Sequence, residues 1–208
     1  SSDVCSSDLS KWALALLLLS PIHHLLELAL VPDTLLLPLM LWVMVLTWKL
    51  SDDLTSVQLW LWLGVALGLS GLSKYTGVFL AMSCAAILLA AHGWALFKAR
   101  GLWLAAGIAA VMISPVLIWN AQNNWISFAY QLNHAGGNQA WSIANVLRFD
   151  LAQLAGYGLL PLLGLIVFLW KLQAQHPLLA RISLGFGLPI LVFAAYSAGR
   201  NSALPHWT

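Results

Sequence analysis

The chain has 208 residues, of which 61% are hydrophobic and 8% charged, whereas a soluble domain carries about 25% charged residues. That composition excludes a water-soluble globule. The formal charge of +2 comes from nine basic and seven acidic side chains spread thinly along the sequence, which excludes a basic nucleic-acid patch and an acidic tail. An all-α, polytopic transmembrane helical bundle is expected.

Residues 1–9, SSDVCSSDL, are polar and unlike everything after Lys11. They lack the basic start and small-residue cleavage site of a signal peptide. They read as an in-frame translation of a sequencing-library adapter, which leaves residues 10–208 as a partial transmembrane domain lacking its N-terminal catalytic loop and its C-terminal part. Cys5 falls in this segment and Cys84 in an apolar run, so neither a disulfide framework nor metal-type cysteine spacing is present.

A bilayer core needs roughly 20 helical residues per crossing. By that measure about seven spans are expected, near 12–30, 35–50, 57–73, 77–97, 102–119, 152–171 and 182–198. In the first span, His23 and Glu27 stand one helical turn apart beside His24. A metal would need further ligands from elsewhere, so polar packing at the interface is the expectation and no metal site is assigned. The stretch LVPDTLLLPL follows. Pro32 should end the preceding helix, leaving Asp33 or Thr34 to cap the next one. A carboxylate is also costly at a membrane boundary, which points to a role such as holding a hydroxyl or a metal.

The run 57–97 is long enough for two crossings, and GLSKYTG at its middle predicts a tight helical hairpin. Lys74 at its tip, beside Tyr75, reads either as a snorkelling anchor or as a compact cation for a phosphate. Further on, Pro115 should kink or end its span. WNAQNNW then interleaves Trp119, Asn120 and Trp125 with further amides. Aromatic faces with amide donors suit sugar rings, while an ordinary wet loop carries the same residue types. The stretch continues to His134, and the chain ends on AGRNSALPHWT, with Arg200 and His206.

Placing Lys11 inside puts Lys49, Lys98, Arg100, Lys171 and Arg181 inside too, against Lys74, Arg148 and Arg200 outside. The excess of basic residues marks the cytoplasmic face. The polar stretches at Asp33, at the hairpin, after Trp119 and at the end of the chain then lie on the other, non-cytoplasmic face.

PDTLLLPLMLW, GVALGLSGLSKYTGVFL, PVLIWNAQNNWISFAYQLNHAGG and the terminal LPHWT, taken in order, resemble bacterial family-39 glycosyltransferases, the membrane group related to protein O-mannosyltransferases and to the aminoarabinose transferase of lipid A. The resemblance runs from about Ala13 to the end. It implies a GT-C-like helical fold in the bacterial inner membrane, with the active face non-cytoplasmic. It also implies a polyprenyl-phosphate-linked sugar as donor and a lipid, glycan or protein as acceptor. The family's principal acidic residue, in an Asp-Glu pair of the first external loop, has no counterpart here. Asp33 then looks like a supporting carboxylate of the second external loop. Lys74, Tyr75, Trp119, Asn120, Trp125, His134, Arg200 and His206 would be substrate-binding, with Arg148 as a further cation. The histidines and Glu27 before Asp33 depart from the family's pattern. A divalent cation is the cofactor to consider. The alternative is a secondary transporter or lipid flippase, which should show broken helices in matching halves; no internal repeat is found.

Overall fold

The computed structural model describes residues 32–136, 140–157 and 159–200. The first expected span, its histidines and Glu27, residues 1–9 and His206 lie outside these. Among the described residues the chain forms eight α-helices and one 3-10 helix, with no strand: α1 Pro32–Asp52, α2 Val57–Ser73, α3 Gly77–His92, the 3-10 helix Gly93–Lys98, α4 Arg100–Gln122, α5 Ile126–Gly136, α6 Ile143–Tyr157, α7 Leu159–Gln175 and α8 Pro177–Gly199. Among the described residues four stretches are long and apolar enough to cross a bilayer: Thr34–Asp52, Gly77–Lys98, Arg100–Gln122 and Pro177–Gly199. Val57–Ser73 and Leu163–Gln175 are shorter apolar helices. The fold is all-α and of membrane type.

α2 is the central helix, packed on α1, α3 and most extensively on α4. Glycines at a spacing of three to four set that approach. A Cβ at Gly64 would stand 2.8 Å from the Ala105 carbonyl oxygen, one at Gly68 2.6 Å from Met112 Sδ, and one at Gly71 2.7 Å from Ile113 Cδ1. Small residues let backbones touch where lipid offers no hydrophobic drive for helices to associate. The buried cluster around Val43, Leu46, Leu50, Trp60, Leu63, Leu80, Leu88, Ile182 and Phe186 joins α1, α2, α3 and α8.

The expected hairpin is present and tight. The Gly77 N–H donates to the Lys74 carbonyl at 2.9 Å and the Lys74 N–H to Ser70 O at 3.2 Å. A Cβ at Gly77 would lie 2.5 Å from Ser70 O, so the turn admits no larger residue there. Pro32 is the first residue of α1, where its missing N–H costs nothing. Asp33 and Thr34 therefore sit inside the first turn, in which a carboxylate also suits the helix dipole. Pro115 does not end its helix, since α4 runs through it to Gln122.

Two ends of the bundle are distinguishable. At one, the Trp60 indole donates to Leu54 O at 2.9 Å, His92 Nε2 lies 2.9 Å from Leu50 O, and the Trp103 indole donates to Phe97 O at 3.0 Å. Lys49 lies in the last turn of α1, Lys98 and Arg100 flank the start of α4, and Lys171 and Arg181 stand on either side of the α7–α8 junction, where Leu178 packs on the cluster of Leu50 and Leu96. In the same region the backbone N–H and then the hydroxyl of Thr55 hold the exposed Asp53 carboxyl below its ordinary range. The opposite end carries the α2–α3 hairpin, the α4–α5 turn and the C-terminus of α8.

Candidate functional site

The hairpin end collects aromatic rings from the α2–α3 hairpin, the α4–α5 turn and the helices α3, α5 and α8. Tyr75 stacks at a tilt on Phe128 with centroids 5.0 Å apart, and Trp125 reaches the same Phe128 at 5.6 Å. One turn below, Phe79 meets Phe193 of α8 at 5.1 Å. The geometry ties the hairpin, α5 and the end of α8 into one surface. Lys74, half-buried, lies next to Tyr75 in the turn.

The α4–α5 connection turns within Asn123, Asn124 and Trp125. Asn124 and Trp125 both adopt positive φ, 54° and 57°. Asparagine tolerates this region, but a bulky aromatic there is strained by roughly 1–2 kcal/mol. The turn holds because the Trp125 N–H donates to Asn120 O at 2.8 Å and the Asn123 N–H is shared between the Trp119 and Asn120 carbonyls. Two side-chain amides reinforce the same turn, since Asn120 Nδ2 donates to Val116 O at 2.9 Å and Asn123 Nδ2 to Trp119 O at 2.7 Å. The amide density of WNAQNNW thus closes the end of α4, whose last carbonyls have no helical partner. Asn120 is wholly buried, while Trp119 and Trp125 are about half exposed. Asn120 Oδ1 has no hydrogen-bond partner among the described residues. A paired comparison isolates the strain: Trp125→Gly and Trp125→Ala lose the same ring, yet the glycine variant should unfold later, with about 1 kcal/mol between them. Equal melting temperatures in detergent would contradict a strained turn.

At the C-terminus of α8, the Ser142 N–H and Asn145 Nδ2 both donate to the Gly199 carbonyl, at 2.9 and 3.1 Å. The Trp141 ring lies so close to Gly199 that no Cβ would fit. Arg200 Nη1 donates to the Tyr196 hydroxyl at 3.1 Å, with the guanidinium carbon 5.9 Å from the Tyr196 ring centroid. Its Nε is buried without a hydrogen-bond partner among the described residues.

The backbone places Asp33 in the first turn of α1 and His134 near the end of α5. Arg148 stands in α6. Tyr75, Trp125 and Phe128 are brought into contact, whereas Trp119 is not among these stacked rings. No group of three or more His, Cys, Asp or Glu side chains gathers among the described residues.

Beneath the aromatic rim runs a groove of about 390 Å³, within the range of ligand pockets. α2 forms its floor, with Trp60, Leu63, Leu67 and Gly71. α3 and α4 form its walls, where Ala81, Ala85, Ala106 and Ala109 leave room. Tyr75 and Phe128 stand at its upper end and Trp60 with Leu102 at its lower. Sequence reasoning missed Phe128 and these alanines. The available signal was their spacing of three or four, which puts them on one face of each helix.

The matching family model is described as dolichyl-phosphate-mannose-protein mannosyltransferase and covers residues 6–119. No curated protein and no solved structure matches the chain. That match takes in more than half of the sequence, and the chain belongs to this family of membrane glycosyltransferases.

Proposed function

From that membership we propose that the chain forms part of a transferase that moves a sugar, with inversion, from a polyprenyl-phosphate donor to a hydroxyl of a lipid, glycan or protein. The active surface is the hairpin end, facing the non-cytoplasmic side of a bacterial inner membrane. The observation that carries this reading is the apolar groove ending under an aromatic rim next to Lys74. One amphiphile, a greasy tail with an anionic head and a sugar, matches that sequence of environments. The basic residues at the opposite end agree with the orientation.

The reaction breaks the bond from the sugar's anomeric carbon to the phosphate oxygen and forms one to the acceptor oxygen. The acceptor's proton passes to a carboxylate, and the phosphate leaves with the bonding electron pair. Asp33 is the supporting carboxylate, and because the family's Asp-Glu pair has no counterpart in these 208 residues, the polypeptide alone is inactive in this reading. Lys74 and Arg200, with Arg148 as a further cation, oppose the charge that builds on the departing phosphate. Trp119 and Trp125 offer half-exposed faces to the sugar, with Tyr75 and His134 as further substrate contacts, while Asn120 holds the turn that presents the two tryptophans. His206 keeps the substrate-binding role that the resemblance implies, and a divalent cation on the phosphate is compatible with these roles.

The test is transfer of radiolabelled sugar from a polyprenyl-phosphate donor in membranes holding the full-length protein. Product whose formation depends on Lys74 is expected. Flux of the donor across the vesicle with no product would identify a flippase instead.

A further inference from the structure

Resting on the reading of the groove as the seat of the donor's tail, we propose that Trp60 is a stop that limits the tail held by the protein to about four isoprene units. The lower end of the groove is closed by this indole. Trp60 is 1% exposed, its Nε1–H is tied to Leu54 O at 2.9 Å, and its ring lies so close to Gly101 that no Cβ would fit there. A ring held by a hydrogen bond on one side and a backbone on the other does not swing aside for a ligand.

The length follows from α4. Leu102 lines the closed end and Leu117 the open one, fifteen helical steps apart, or about 22 Å. An isoprene repeat adds four carbon–carbon bonds, about 5 Å when extended, so about four repeats fill the groove. The walls are shaped by alanines, which leaves a channel for one chain. Lys74 beside Tyr75 at the open end supplies the charge that selects a phosphate-headed chain over a neutral one. A longer tail must turn out of the groove between α3 and α4, which make no extensive contact with each other, and continue in the bilayer. The protein therefore reads the units nearest the phosphate and is indifferent to the rest.

Photo-cross-linking of the chain in lipid nanodiscs tests this. The probes are synthetic polyprenyl phosphates of two, four or eight isoprene units with a diazirine at the last unit, and adducts are mapped by mass spectrometry. The two-unit probe should mark mid-groove residues such as Ala109 and the four-unit probe Trp60, Leu63 and Leu102. The eight-unit probe should mark lipid-facing residues and spare Trp60. Ala106→Phe fills the lower groove from an exposed lining position without touching the core. It should cut four-unit adducts at Trp60 at least tenfold and leave two-unit adducts unchanged. Phosphate-dependent labelling that spreads over the surface at every length, or that ignores Ala106→Phe, would overturn the stop alone. Equal labelling by the corresponding alcohols would overturn the donor reading and the stop with it.

Discussion

Lys74→Gln in the full-length protein lowers kcat/KM for sugar transfer by about a hundredfold, while Lys74→Arg keeps a substantial part of the activity. Removing one preorganised group that stabilises developing charge typically costs about 10² to 10³ in rate. Glutamine keeps hydrogen-bond donors on a side chain one atom shorter but carries no charge, so the loss, set against the arginine variant, reports the cation. Arginine keeps the charge with a different shape, which makes its rescue incomplete. The hairpin geometry makes the position a fixed one. The Lys74 N–H and carbonyl are both engaged in the turn, and Gly77 has no room for a side chain, so the lysine's origin cannot drift. The loss should fall on kcat more than on KM, because charge on the phosphate grows in the transition state. A lysine that only anchors the helix at the interface would leave both constants unchanged when replaced by glutamine.

Gly64→Leu destabilises the protein by about 3 kcal/mol, the upper end of the usual cost of overpacking. The added side chain meets backbone, not a flexible neighbour: the Ala105 carbonyl oxygen at 2.8 Å and Ala105 Cα at 2.9 Å. α2 and α4 must separate to admit it, and their contact is the broadest in the bundle. Ala105 also lines the groove, so donor binding should fall with stability. Gly107→Leu is the control. Nothing stands within 4 Å of a Cβ at Gly107, and that variant should melt like the parent in thermal unfolding in nanodiscs. Equal melting of the two variants would remove the argument for glycine-mediated contact.

The hairpin was legible because one short stretch concentrates glycines, a serine, a lysine, a tyrosine and a threonine between apolar runs. The grouping of the polar stretches at one end was legible because crossings alternate, so their parity follows from counting spans. Other features depend on local energetics that composition conceals. The stretch after Trp119 reads as a long polar loop, yet it holds α5 and α6. The expected span 152–171 starts too late: helix already runs from Ile143, and α6 and α7 cover the stretch on either side of residue 158. The amides of WNAQNNW read as sugar ligands or as the polar residues of an ordinary wet loop, and their part in closing α4 was not foreseen. Choosing between them required knowing which carbonyls they reach, and two are committed to α4. Of the groove only the spacing of its alanines was legible, because an alanine leaves a void only where the neighbouring helices fail to fill it.

The most direct measurement of the shared surface is the accessibility of single cysteines, introduced at positions 33, 74, 125 and 200 in a Cys5→Ser, Cys84→Ser background, to a membrane-impermeant maleimide added to sealed, right-side-out vesicles, with position 98 as the reference. Labelling of the four from outside, with position 98 reacting only after the membrane is opened, is the expected result. If positions 33 and 74, or 74 and 200, react from opposite sides, no single pocket joins carboxylate, cation and sugar, and the proposed transfer reaction has no site in this chain.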